Sequence, residues 1–493
     1  FLLGQTSRQI AGVSSINMLG QATRIGLAFL TTLFVSRWLG ASGFGEANLI
    51  LSYTAFITFF LTAGFDQSLP YYVAHFESEK KKAMAKKVLW VGLCLSVILG
   101  VVLLGGATFV LPKVLEKANL SHLLVPTLIL AYQTQFLAVG NVLGGYLRGE
   151  KKFLPVIWKD QFLTGGIGFV GAVLLLKVFD LGVLGYVISY SAAGFIGFLV
   201  VLYYTIRVLR RQPTVAEDKP SQWGKWIWFS VPLGLMSTLE PMLLWSGFIV
   251  VGAMMAPPDV GHFAIATRVA FFVQFLFVGL QPIFSPYMAN YIKEGKKEEF
   301  QQLYQMVVYW STKWSVLFSF VLFLNVDKVM ALFGHEYLTA STCLLLVLPG
   351  YFFEGSFGAA KLSLVMGGYS SINVLNLLVA LIINVLGAYA LIPQYGLNGA
   401  AVAFSFSFFI LNLLRVFQFH TYFKSTPING SQLKNLCKLS AVLLILGIII
   451  YTLSANENQR LLFSVVVFVA GFLISYWKDR ELFIGRLRRQ IAG

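Results

Sequence analysis

AGVSSINMLGQATRIGLAFLTTLFVSRWL, residues Ala11 to Leu39, decides how this chain is to be read. About 20 helical residues, rising about 1.5 Å each, cross the roughly 30 Å of hydrocarbon in a bilayer. The run is long enough, yet Arg24 stands in its middle. A charge at that depth costs at least about 2.5–3.5 kcal/mol, so the guanidinium needs a polar surrounding or a partner. Asn17, Gln21, Arg24 and Thr31 are spaced by 4, 3 and 7 residues, which puts them on one helical face. The run is expected to be a membrane helix with a lipid side and a wet side. The rest of the chain is expected to wall the cavity that the wet side faces.

Composition agrees. The 493 residues are 57% hydrophobic and only 12% charged, with a mean hydropathy of +0.75; soluble domains carry about 25% charged residues. The fold class is all-α, a polytopic membrane protein. The net charge of +16 does not point to nucleic acid, because the basic residues lie in short clusters between apolar runs, the pattern of cytoplasmic membrane loops. Cys94, Cys343 and Cys437 are far apart and inside or beside apolar segments, and the five histidines are scattered. Neither pattern suggests a disulfide framework or a metal site. No cleavable signal peptide is expected, since the first apolar run is too long and many others follow.

Fourteen spans are predicted. Six form an N-lobe over residues 1–206: Ala11–Leu39, Phe44–Phe65, Val88–Leu111, Leu120–Leu147, Leu154–Leu176 and Leu181–Ile206. Gly40 to Gly45 reads as a short polar turn between the first two. Residues 207–225, with Pro213, Pro220, Glu217 and Asp218, read as a cytoplasmic linker. A C-lobe over 226–423 holds six more: Trp226–Met254, His262–Pro286, Leu303–Leu324, Ala340–Lys361, Ile372–Ile392 and Leu397–His420. Two last spans lie within 424–477, and 478–493 is a basic tail. With both ends inside, 27 of the 37 Lys and Arg fall in inside segments, 6 in outside segments, and 4 (Arg24, Arg268, Lys313 and Arg415) within spans. That bias places both termini in the cytoplasm.

An internal repeat relates the lobes. Phe44-Gly-Glu-Ala47 resembles Val260-Gly-His-Phe263 at an offset of 216, and Gly182-Val-Leu-Gly185 resembles Gly396-Leu-Asn-Gly399 at an offset of 214. Gly-x-x-Gly entries let backbones approach closely. The two lobes are therefore pseudo-symmetric and parallel, a transporter plan that holds substrate between repeats.

These residues also carry a resemblance. Ser36-Arg-Trp-Leu-Gly-Ala-Ser-Gly-Phe-Gly-Glu46 resembles a turn of the polysaccharide transporter family, the O-antigen and exopolysaccharide flippases. Ala63 to Leu69, Gly145-Tyr-Leu-Arg-Gly149, Ser230 to Gly234, Val260 to Ala264, Phe333 to Tyr337 and Ile392 to Ala401 fit the same pattern. Many members carry an acid in the outer half of the seventh span, where this chain reads Leu243-Leu-Trp-Ser-Gly247. The resemblance implies a flippase rather than an enzyme. It would move undecaprenyl-pyrophosphate-linked oligosaccharide from the inner to the outer leaflet of the bacterial cytoplasmic membrane by alternating access, for cell-surface polysaccharide biosynthesis. Its partners would be the bilayer and a polysaccharide polymerase machinery. No cofactor is implied; coupling would be to a proton or sodium gradient or to membrane potential.

Arg24, with Asn17 and Gln21, is the first candidate for the cargo's pyrophosphate, because a guanidinium fork matches phosphate oxygens. The repeat offers a rival reading: adding 216 to 24 gives Glu240, a candidate latch partner. Glu240 precedes Pro241 and follows Pro232, so the seventh span is expected to be kinked or broken and to gate or carry a coupling ion. Arg268 and Lys313 are further cavity candidates. Glu354 is expected to pair with a cation or carry a coupling ion. Gln133, Gln135 and Asn141 are weaker sugar contacts, and Asp66 and Asp160 read as solvated helix ends. The alternatives are a lipid II flippase, a cation-coupled drug exporter of the multidrug and toxic compound extrusion family, and a membrane-embedded sugar polymerase or ligase. An organic cation would favour an acid where this chain has Arg24. A polymerase would need a larger outside loop than Asn325–Thr339.

Overall fold

The computed structural model of the chain describes residues 2–78, 81–117, 120–211, 223–454 and 456–492. Among them every regular element is helical. Hydrocarbon offers a backbone no water to bond, and a helix satisfies its own amides. The chain divides into two compact units, residues 1–264 and 265–493.

The first unit opens with α1 (Leu2–Thr62), which is too long for one crossing. Its only non-helical residue is Gly40, at φ 67° and ψ 179°. The polar turn expected over Gly40–Gly45 is thus a one-residue break, after which the helix resumes at Ala41. So short a break leaves few amides unbonded, and glycine adopts its positive φ without strain. Thirteen segments among the described residues are long and apolar enough to cross a membrane, the first covering 58 residues, Leu19–Phe76. Divided at Gly40, that segment makes two spans and brings the number to the fourteen expected.

After α1 come α2 (Phe65–Ser78), α3 (Lys82–Lys117) and α4 (Leu124–Gly149). The fifth span is α5 (Phe153–Ile157) and α6 (Thr164–Ala172) joined by a π-helical turn, Trp158–Leu163, and followed by a second, Val173–Val178. Such turns insert an extra residue and re-aim side chains. The unit ends with α7 (Gly182–Arg210), α8 (Trp223–Met254) and the start of α9 (Pro257–Ala270), which crosses the unit boundary. Most of the expected linker, residues 212–222, lies outside the described residues.

Within this unit α4 packs against α1, α2, α3 and α7, and Phe65, Leu69, Val88, Tyr146, Leu147 and Val201 share one core. The Gly145-Tyr-Leu-Arg-Gly149 motif explains the α2–α4 contact. A Cβ on Gly145 would stand 2.6 Å from the Asp66 carbonyl oxygen, and one on Gly149 would stand 2.5 Å from Val73 Cβ. Arg148 Nη2 donates to that same Asp66 carbonyl at 3.0 Å, and Tyr146 is fully buried.

In the second unit, a 3-10 turn, Phe271–Gln274, joins α9 to α10 (Phe275–Glu294). Then follow α11 (Lys297–Leu324), α12 (Val326–Ala331), α13 (Ser341–Phe357), α14 (Ala359–Met366), α15 (Ser370–Tyr395), α16 (Leu397–Phe423), α17 (Gly430–Leu453) and α18 (Glu457–Ala492). The segment read as the basic tail continues α18. Helix α16 packs on α13 and α15, and α11 packs on α10, α13, α17 and α18. Phe277, Phe284, Met288, Tyr304, Val308 and Phe419 share one core of this unit. The connection Asn325–Thr339 is folded rather than open: α12 and the 3-10 turn His335–Ala340 bury Met330, Phe333 and Tyr337.

Each unit carries one copy of the Gly-x-x-Gly entry, built alike. Gly182 and Gly396 have positive φ, 53° and 58°. A Cβ on Gly185 would meet the Leu175 carbonyl oxygen at 3.1 Å, and one on Gly399 would overlap the Leu391 carbonyl oxygen. Leu175 and Leu391 differ by the repeat offset of 216.

Overpacking a tight contact costs about 1–3 kcal/mol. Gly145→Ala is therefore expected to lower the thermal midpoint of detergent-solubilised protein, whereas Gly105→Ala, with nothing within 4 Å, leaves it within error. Equal midpoints would refute the α2–α4 account.

Candidate functional site

Helix α1 places its polar face beside the π turn of the fifth span. Gly20 lies so close to that turn that a Cβ would stand 2.9 Å from Gln161 Cβ, and Leu27 sits against Gly165. At about 100° per residue, Arg24 lies about 40° and Gln21 about 100° around the helix from Gly20. They flank the packed seam rather than lie inside it. Gln21 and Thr31 are half-exposed and Arg24 is exposed. The side chain of Asn17 lies outside the described residues. Among the described residues no ion pair joins Arg24 to Glu240.

Helix α8 runs from Trp223 to Met254 through both Pro232 and Pro241, so of the kink or break expected there, no break occurs. Each proline still removes one amide donor. One turn before the second, the hydroxyls of Ser237 and Thr238 both donate to the Gly234 carbonyl, at 3.0 and 2.8 Å. Glu240 is half-buried on this helix.

Two cations that sequence reasoning did not select lie deepest. Lys159, tallied above with the inside segments, is only 3% exposed within the π turn. Its Nζ donates to Asn141 Oδ1 at 2.6 Å and lies 3.2 Å from Asp160 Oδ1. Gly197 of α7 makes room for it: a Cβ there would stand 2.9 Å from Lys159 Cγ. Asp160, read as a solvated helix end, is 44% exposed and serves as this lysine's counter-charge. Arg415 of α16 is completely buried. Its Nη1 donates to Glu354 Oε2 at 2.9 Å and its Nε to Asn373 Oδ1 at 3.1 Å, while Asn412 Nδ2 donates to the same Glu354 oxygen at 2.9 Å. One turn on, Asn376 and Gln418 exchange amide bonds of 2.5 and 2.8 Å. The signal for Arg415 was present as one of four in-span cations. Lys159 was hidden by its nearness to a basic turn.

Lys313 of α11 is 8% exposed. Its ammonium sits 4.2 Å from the Tyr309 ring centroid and 5.8 Å from that of Trp310, a stabilising placement when desolvated. Arg268 is half-buried. Of the sequence candidates, the structure thus places Gln21 and Arg24 on one open face and Glu354 in a closed polar cluster. No group of three or more His, Cys, Asp or Glu able to hold a metal occurs among the described residues. The chemistry available is recognition by charge and hydrogen bonds.

Comparison with known proteins agrees with this arrangement. The polysaccharide biosynthesis protein family model matches residues 11–292, and the MatE family model matches residues 232–390. No curated protein matches the chain. Among solved structures, the lipid II flippase MurJ in an inward closed conformation is 16% identical, with a TM-score of 0.74 over 96% of this chain and 99% of that one. An inward-facing multidrug resistance MATE family transporter of the MOP superfamily is also 16% identical, with a TM-score of 0.70 over 84% of this chain and 97% of that one. A MOP superfamily transporter from Pyrococcus furiosus, described by a reverse polarity of its binding pocket, gives 0.58 at 16% identity over 84% and 95%. These likenesses establish a shared fold.

Removing one partner of a buried ion pair strands the other and costs about 3–5 kcal/mol, while replacing both with apolar groups is often neutral. Arg415→Leu is expected to destabilise the protein by that amount in detergent unfolding. The double variant Glu354→Leu/Arg415→Leu should recover most of the loss. A double variant no better than the single one would show that the pair is not the determinant.

Proposed function

Because the chain belongs to the polysaccharide biosynthesis protein family and has the membrane-transporter fold of the MOP superfamily, we propose that it flips undecaprenyl-pyrophosphate-linked oligosaccharide across the bacterial cytoplasmic membrane. Pyrophosphate and sugars cannot enter hydrocarbon unaided, since stripping water from charges and hydroxyls costs many kcal/mol. A polar cleft takes the head group while the lipid tail stays in the bilayer. Both termini are cytoplasmic, as the distribution of Lys and Arg favours.

Arg24 carries the reading. An exposed guanidinium halfway along a membrane-length run, with no ion pair to Glu240, is well placed for an anionic cargo and poorly placed to be a structural latch. Gln21 and Asn17 extend its face. Arg268 and Lys313 add positive charge in the second unit. Glu240, half-buried beside Pro241, is the acid proposed for gating and for coupling to a proton or sodium gradient or to membrane potential. Glu354 is held by Arg415 and Asn412, which supports the cation-pairing role over ion transport. A polysaccharide polymerase is the expected downstream partner.

Lipid II is the second reading. The likeness to MurJ extends over nearly the whole chain, and lipid II presents the same pyrophosphate. Complementation separates the two. The wild-type chain should restore surface polysaccharide in a strain lacking its oligosaccharide flippase and should fail to rescue loss of the lipid II flippase. A hydrogen bond to a charged group is worth about 1.5–3 kcal/mol, so Arg24→Ala should cut surface polysaccharide about 10- to 100-fold at equal protein level, and Arg24→Lys should retain part of it. Rescue confined to the lipid II defect would overturn the cargo assignment, and full activity of Arg24→Ala would remove Arg24 from it.

A further inference from the structure

The repeat offset of 216 carries Ala41 onto Pro257 and Gly45 onto Gly261. In the structure these four residues meet one another. A Cβ on Gly45 would overlap the Pro257 carbonyl oxygen and stand 2.9 Å from the Gly261 amide nitrogen. A Cβ on Gly261 would overlap the Ala41 carbonyl oxygen and stand 3.0 Å from its carbonyl carbon. Each glycine therefore packs on the carbonyl four residues before its counterpart. This is the reciprocity of a twofold interface, in which residue i meets j and j meets i, realised inside one chain. The contact is dry: Ala41 is 3% exposed, and Phe44, Val260 and Phe263 around it are fully buried. It extends along the helices, because a Cβ on Gly252 of α8 would overlap Leu49 of α1.

A second contact lies about nineteen residues further along the chain, just past the end of α1 and roughly a bilayer's thickness away. There Gly64, at φ 77°, lies against the Ser230 carbonyl, with its Cβ position 2.8 Å from the Gly234 nitrogen. Ser68 Oγ and Ser230 Oγ are 2.6 Å apart. This contact is held by hydroxyls and has no counterpart at the offset of 216, since Gly64 would map to Leu280. The start of the second half of α1 and the turn into α2 thus meet α9 and α8 by different means: a reciprocal glycine fit at one, a serine pair at the other.

We infer that Ala41–Gly45 and Pro257–Gly261 form a reciprocal latch that seals the polar face of α1 at the membrane side bearing Gly40, and that the latch parts once per transport cycle. Close packing of backbone on backbone at Gly45 and Gly261 suits such a role. The opposite contact, which must separate a bonded serine pair, is the slower to open. The inference rests on reading the chain as an alternating-access transporter, but its test uses no cargo.

The test places a single cysteine at Thr31, on the half-exposed face of α1, in a chain whose Cys94, Cys343 and Cys437 are replaced by serine. Labelling by a membrane-impermeant maleimide is followed in sealed vesicles of both orientations. Labelling from the side bearing Gly40 should be slow in the parent. It should rise at least about fivefold in Gly45→Ala and equally in Gly261→Ala, without rising from the other side. Because both substitutions open one contact, the double variant should label no faster than either single variant; independent sites would add. Gly105→Ala is the control and should match the parent. Labelling that stays slow in the single variants, rises from both sides as in a misfolded chain, or climbs further in the double variant overturns the latch. Failure of oligosaccharide complementation with the labelling pattern intact overturns the cargo alone.

Discussion

A polar group at membrane depth must be bonded by protein or face water, and this single constraint orders the structure. The four most telling cations meet it in four ways. Arg415 is completely buried and held by a carboxylate and an asparagine. Lys159 is almost as deep and shares Asn141 and Asp160. Lys313 lies over an aromatic face. Arg24 is exposed. A fixed internal partner neutralises a charge for good, which suits a scaffold. An exposed one stays available to an anion that arrives and leaves, which suits transport. The roles proposed for Arg415 and Arg24 thus differ through their surroundings rather than through residue type.

The same constraint governs the backbone. The departures from α-helix within the described membrane-length segments are short: one residue at Gly40, the turn at Ala63–Gly64, π turns at Trp158–Leu163 and Val173–Val178, and 3-10 turns at Ser121–Leu123, Phe271–Gln274 and His335–Ala340. Each keeps most amides bonded while redirecting the side chains beyond it. The π turn at Trp158–Leu163 is where Lys159 turns inward to Asn141, so a backbone irregularity and a buried charge occur together.

Much of this was legible in the sequence. Apolar length and the Lys and Arg bias gave fourteen spans because both follow from the bilayer alone. The Gly-x-x-Gly entries pointed to close backbone approach because only a missing Cβ allows it, and Gly185 and Gly399 make such contacts. What was not legible depends on neighbours distant in sequence. Arg415 and Arg24 look alike in a hydropathy reading; only packing of α13, α15 and α16 around the former separates them. Lys159 fell within the predicted fifth span but was tallied with the basic turn before it, because its burial depends on contacts with α4 and α7. Pro241 suggested a kink or break because it removes an amide donor, whereas α8 continues through it without a break.

The repeat keeps its symmetry in one place and abandons it in another, and the physical reasons differ. Ala41 and Gly45 correspond to Pro257 and Gly261, and a reciprocal contact works only if both copies leave the same space empty. Elsewhere the offset of 216 pairs Arg24 with Glu240, Gln21 with Ser237 and Glu46 with His262. Glu46, one residue past the latch glycine, meets His122 at 3.1 Å from the turn before α4. A cargo with an anionic head, a sugar portion and a lipid tail has no twofold symmetry. Walls that bind it must therefore differ, while the hinge that lets them part is best built from two matching halves. On that argument the glycines report the motion and the diverged side chains report the cargo.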